Sequence, residues 1–145
     1  MLIPPEVLRQ WHISEADKLA LADLPDAVGP FFIADPQVQA DPAMRGGYYR
    51  IANDQGLDIG VGMRGVFAVD PLNEMSDCFV NSSVANLAAF LREVAVLLDS
   101  LGELDYDEAS AQATEVRERL QPLDPAAFTD RAWWPLVFDQ LEFGA

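Results

Sequence analysis

Two hydrophobic periodicities divide this chain of 145 residues. Between Tyr48 and Val69 apolar residues alternate with polar or small ones, and from Val84 onward they recur at spacings of three and four. Alternation places successive side chains on opposite faces of a strand, whereas the longer spacing marks one face of a helix. Tyr48–Ala52 and Leu57–Gly62 therefore read as strands joined by the turn Asn53-Asp54-Gln55-Gly56. In the second strand Leu57, Ile59 and Val61 should be buried, leaving a polar or bare face of Asp58, Gly60 and Gly62. Met63-Arg64-Gly65 turns the chain into Val66–Val69, and a short strand, Cys78–Val80, follows the loop Asp70–Asp77. Strands linked by such short turns pair antiparallel, because a parallel neighbour needs a longer crossover.

Upstream, Ser14 followed by Glu15, Ala16 and Asp17 predicts an N-cap and a short helix ending before Pro25, with Leu19, Ala16 and Ala20 as its candidate buried face. Val28–Ala34 predicts a first strand and Asp35–Gly47 a loop. Downstream, Ser82 or Ser83 caps a long helix whose stripe is Val84, Leu87, Ala88, Leu91, Val94, Ala95, Leu98 and Leu101, widened by Phe90 and Leu97. Gly102 is its expected stop. A more polar helix over Tyr106–Leu120 should turn Ala109, Ala113, Val116 and Leu120 inward. Pro122 and Pro125 break the chain before a turn at Ala126–Phe128, and a last helix from about Trp133 carries Leu136, Val137, Phe138 and Leu141. Trp133 and Trp134 diverge by about 100° on a helix, so one is expected to anchor it and the other to lie near the surface. Helix, strands, helices is an α+β order. We expect a single domain over residues 1–145, with an antiparallel sheet of about 4–6 strands flanked by N-terminal and C-terminal helices.

Charge narrows the partners. The chain has 24 Asp and Glu against 9 Lys and Arg, a net charge of −15. Phosphate backbones need a basic face, so nucleic acid is not expected as a partner, and an anionic membrane would repel this surface. The opening MLIPPEVLRQ lacks the pattern of a secretory signal. The longest uncharged run, Cys78–Leu91, has 14 residues against the roughly 20 a spanning helix needs. One cysteine allows no internal disulfide and suits a reducing compartment, so a cytoplasmic location is expected.

Candidate chemistry is sparse. Gly60-x-Gly62-x-x-Gly65 matches a dinucleotide fingerprint, but the motif needs a helix after its glycines, and Val66-Phe67-Ala68-Val69 follows instead. It reads as a hairpin turn. The only lysine, Lys18, lies upstream, which also argues against a kinase-type glycine lid. His12 and Cys78 are the only residues of their types, too few for a zinc site. His12 beside Trp11 suits packing or solvation, and Cys78 suits a small buried hydrophobe. No catalytic constellation, cofactor loop or metal set emerges, so no enzyme activity and no cofactor is expected. The densest acidic group is Asp99, Glu103, Asp105, Asp107 and Glu108. It fails the calcium-loop template, which wants Asp or Asn at Ala109 and Gly at Ser110. It is either a solvated loop with acids at a helix N-terminus or the contact for a basic partner.

Several stretches carry a resemblance. Leu24-Pro25 with Gly29-Pro30-Phe31-Phe32, then YYRIANDQGLDIGV (48–61), VFAVD (66–70), FVNSSVANLAAFL (79–91) and DPAAFTDRAWWPLVFDQLE (124–142), resemble the fourth immunity-protein subfamily of the SUKH superfamily. Ala52 stands where that pattern would place glycine. The resemblance implies a bacterial immunity protein that binds and neutralises a cognate toxin, a nuclease or nucleic-acid deaminase with a basic surface. It brings no catalytic residues to transfer. Asp99, Glu103, Asp105, Asp107 and Glu108 are the candidate contacts. A non-catalytic regulatory or adaptor domain is the alternative, since the superfamily is not confined to immunity. A small hydrolase with a carboxylate pair is the third.

Overall fold

Glycines set the spacing of the central sheet. A Cβ on Gly62 would lie 2.8 Å from the Tyr48 ring, and one on Gly65 would lie 2.7 Å from the Asn81 carbonyl oxygen, so neither position admits a side chain. The computed structural model in which these contacts occur describes residues 1–38 and 45–143. Its elements are α1 (Pro5–Leu8), α2 (Glu15–Ala20), β1 (Ala27–Val28), β2 (Phe32–Ala34), β3 (Tyr49–Asp54), β4 (Leu57–Gly62), β5 (Gly65–Val69), β6 (Cys78–Asn81), α3 (Val84–Leu101), α4 (Tyr106–Leu120) and α5 (Trp133–Phe143). Among the described residues the strands form one sheet in the order β1-β2-β3-β4-β5-β6, every neighbouring pair antiparallel. The fold is α+β, with helices at both ends of the chain.

The Gly60–Gly65 match is a hairpin, as its sequence context predicts: Gly62 pairs with Gly65 across the two-residue loop Met63-Arg64. The β3–β4 turn is shorter than expected. Asn53 and Asp54 stay in the ladder, opposite Asp58 and Leu57, and Gln55-Gly56 alone make the loop, both with positive φ. That two-residue geometry matches the twist of the flanking strands. The expected strand over 28–34 is two, because Gly29 takes positive φ and folds β1 onto β2. Residues 39–44 of the expected loop lie outside the described residues. The helix α1 was not expected; Pro4 and Pro5 set its first turn.

One face of the sheet, with Tyr49, Ile51, Ile59, Val61, Val66 and Ala68, shares a core with the inner residues of α3, α4 and α5. The stripe read from the sequence of α3 holds: Val84, Leu87, Phe90, Leu91 and Val94 are buried, and Ser83 caps the helix by accepting the Asn86 N–H. In α4, Ala113, Val116 and Leu120 are buried while Ala109 is half-buried. The other face, expected polar or bare, is covered. Phe67 lies opposite Gly60 and packs against Tyr48 at 4.9 Å and Phe79 at 5.4 Å, with Arg64 over its ring. The bare glycines are the floor on which these rings rest.

Leu57, Ala95, Leu98 and Leu101, expected buried, are half-buried, and other burial expectations fail outright. Leu19 is 78% exposed and Ala16 is exposed, while Ala20 is buried. The cause is Asp17, whose carboxylate accepts the Val84 N–H at the start of α3. With Asp17 and Ala20 facing α3, Leu19, two residues from Asp17, must point away. Trp133 and Trp134 are both buried, at 1% and 0% exposure, so neither lies near the surface. They diverge as expected but meet two walls. Trp133 donates its indole N–H to Asp54 at the end of β3, and Trp134 donates to Asn81 on β6. The ring of Phe31 stands edge-on to both.

A buried carboxylate closes the structure. Asp124, 2% exposed, accepts from the Asn81 amide (3.0 Å), the Ser82 backbone N–H (2.8 Å) and the Ser82 hydroxyl (2.6 Å). It ties the β6–α3 junction to the 3₁₀ turn Pro125–Phe128 that leads to α5. Asp124→Ala would leave the buried Asn81 amide without its acceptor while the exposed Ser82 turns to water, and we expect it to lower the unfolding free energy by about 1–3 kcal/mol. The exposed Asp130→Ala should change it by less than about 0.5 kcal/mol. Urea titrations of both variants check this.

Candidate partner-binding surface

The five candidate acids sit at one end of the α3–α4 hairpin. Asp99 is in the last turn of α3, Glu103 in the connection, Asp105 at the N-cap of α4, and Asp107 and Glu108 in its first turn. All five are exposed, and none forms an ion pair among the described residues. Their chemistry differs. Asp105 accepts the Glu108 N–H at 2.9 Å, and that bond, helped by further hydrogen bonds from Glu108 and Asp107, holds its carboxyl below the usual range. Asp105 is thus a helix cap first. Asp107 and Glu108 sit where the dipole favours an anion, but Asp99 lies at the opposite end of a helix, where it does not.

Elsewhere the cations are used internally. Arg119 pairs with Glu93 at 2.9 Å and with Glu115, Arg117 with Asp139 and Glu142, Arg50 with Asp35, and Lys18 with Glu15. Four of the 9 Lys and Arg are thereby neutralised within the fold, leaving the acidic excess facing solvent.

His12 and Cys78, the only residues of their types, are apart. The backbone N–H of His12 donates to the Tyr49 hydroxyl beside β3, whereas Cys78 is on β6, three strands away, which is roughly 14 Å of sheet. His12 is exposed and lines a recess of about 350 Å³ with Tyr48, Tyr49, Met63 and Arg64. Cys78 is half-buried, less than expected, and burial together with the Asp77 charge pushes its thiol above the usual range. That is the reverse of what a nucleophile needs. No group of three or more His, Cys, Asp or Glu is placed to hold a metal among the described residues. No helix of the described residues is long and apolar enough to cross a membrane.

The carboxyl of Asp54 is raised above the usual range. Burial lifts it, and the bond from Trp133 offsets part of the rise. Its cross-strand partner is Leu57, not a second carboxylate, and its donor is Trp133, so the shift belongs to the anchoring of α5. Sequence reading missed Asp54, Asn81 and Asp124 as anchors because their partners lie 42 to 79 residues away.

The described residues thus build a small α+β protein, a meander sheet under a helical layer with acids that form no ion pair at one helix-hairpin end. The family model of the SUKH-4 immunity protein matches residues 1–140, and the chain belongs to that family. No curated protein and no solved structure matches it.

Asp54 and Asp105 should shift stability with pH in opposite senses. The folded Asp54 titrates above its unfolded value, so its contribution is favourable in acid and is lost as pH rises through the raised value. Asp54→Asn, which keeps an oxygen for Trp133, should therefore gain on the wild type as pH rises from about 3 to 6. The folded Asp105 titrates low, so its contribution is present at neutral pH and lost as pH falls through that low value. The deficit of Asp105→Ala should shrink in acid. Thermal melts across this range check both, and pH-independent differences would contradict them.

Proposed function

We propose that this protein binds and neutralises a bacterial toxin, and that it does so by covering the toxin without chemistry of its own. The family match over residues 1–140 carries the reading. The toxin is a nuclease or nucleic-acid deaminase, whose substrate demands a basic cleft. A chain of net charge −15, with cations spent on internal pairs, is the electrostatic complement of such a cleft. Complementary charge lifts association toward about 10⁸–10⁹ M⁻¹s⁻¹ at low salt, against roughly 10⁵–10⁶ for neutral surfaces. Speed matters to a protein that must reach a newly made toxin before its substrate does. The setting is the cytoplasm of the cell that makes the toxin, in keeping with the single cysteine.

Co-expression with the product of the adjacent reading frame tests this. The expected result is that the neighbour alone stops growth, that this protein restores it, and that the two co-purify in a complex that weakens as salt is raised. A neighbour that is expressed and harmless, with no complex formed, would move the reading to a non-catalytic adaptor.

A further inference from the structure

The outer side of α3 carries a feature that the acid cluster alone does not. Arg92, Val96 and Asp99 stand at positions i, i+4 and i+7, one ridge of the helix. Val96 is 66% exposed, although it lies mid-helix between buried residues. The two flanks of this ridge differ. Toward α4 the groove is bridged: Arg119 reaches Glu93 at 2.9 Å, and the Ser100 hydroxyl, which donates to the Leu97 carbonyl, lies 3.4 Å from the Gln112 side chain. Toward the N-terminal segment the groove is open, about 290 Å³ between Leu91, Ala95 and Val96 on one side and the Asp23–Pro25 corner on the other. Arg92, Asp23 and Asp99 line it, and none of the three forms an ion pair among the described residues.

We propose, building on the toxin-neutralising reading above, that this groove receives the toxin. Its occupant is a toxin segment with a bulky apolar side chain and a lysine or arginine beside it. The apolar floor takes the side chain. The cation is set by charge: Asp99 stands in the last turn of α3, where the helix end already carries about half a negative charge and no basic residue answers it. An anion placed against a helix dipole and left unpaired breaks a local rule, and such breaks gather at functional positions. A partner cation there meets carboxylate and dipole together. Arg92 remains free to meet a toxin carboxylate at the other end of the ridge. A second copy of this chain is a poor occupant, since two surfaces of net charge −15 repel. The groove is also at the small end of the roughly 300–1,000 Å³ typical of metabolite sites, which suits one or two partner side chains.

The test titrates the product of the adjacent reading frame against full-length variants. Asp99→Arg should weaken the complex by at least about tenfold while leaving the thermal midpoint unchanged or higher, because arginine suits a helix C-terminus. Val96→Gln, a polar helix former at an exposed site, should weaken it by a similar factor. Asp130→Arg, the same charge change on the loop before α5, should cost less than about threefold. Equal losses for Asp99→Arg and Asp130→Arg would reduce the effect to net charge and overturn the groove. Wild-type binding that ignores both Asp99→Arg and Val96→Gln would overturn the groove and leave the toxin-neutralising reading standing. Failure of the wild type to bind would remove both.

Discussion

Everything on the helical side of this protein hangs from the carboxylate of Asp124. It is an uncompensated anion in a nearly dry position, tolerable only because three donors converge on it. Two of them come from Ser82, one from Asn81, and Asn81 in turn accepts the Trp134 indole at 2.8 Å. The network fixes three things at once: where β6 ends, where α3 begins, and how deep α5 sits. Among its buried members, Asp124, Asn81 and Trp134, removing one leaves the next without its partner in a low-dielectric interior, so these parts are cooperative.

From that anchor the rest of the helical layer follows. With α5 seated, Trp134 packs against Phe90 and Phe138, and Trp133 reaches across to Asp54 on β3. Sheet and C-terminal helix are thus stapled at two strands, β3 and β6, that the meander holds apart. The N-terminal segment is tied in the same manner, by Asp17 on the first N–H of α3 and Tyr49 stacked on Trp11 at 4.7 Å. These ties all approach α3 from within or from its N-terminal end. Along its outer ridge Arg92 and Asp99 form no ion pair among the described residues, and Val96 between them stands in solvent.

The arrangement suits a protein that works by fitting another. Ion pairs link α4 to α3 and α5, and β3 to Asp35 after β2, while among the described residues the acids around the α3–α4 connection form none. Asp105 is the exception in kind, since its charge is spent on a backbone N–H. Charge changes at Asp105 perturb the helix as well as the surface, so Asp107, Glu108 and Asp99 are the cleaner positions from which to read an electrostatic contact.

What the sequence by itself determined is whatever depends on near neighbours. The alternation of Leu57, Ile59 and Val61, the stripe of α3, the caps at Ser14, Ser83 and Asp105, and the hairpin hidden in Gly60–Gly65 are all set by residues a few positions apart. The α+β class and the resemblance to the family were legible for the same reason. What only the tertiary structure decided depends on partners far along the chain. Leu19 is exposed because Asp17 is claimed by Val84, and both tryptophans are buried because Asp54 and Asn81 offer acceptors on opposite sides. The open groove beside Val96 exists only where the Asp23–Pro25 corner happens to face α3. Local periodicity carries no information about which distant acceptor will be met, and it is those meetings that choose the orientation of an amphipathic element once its apolar stripe allows more than one.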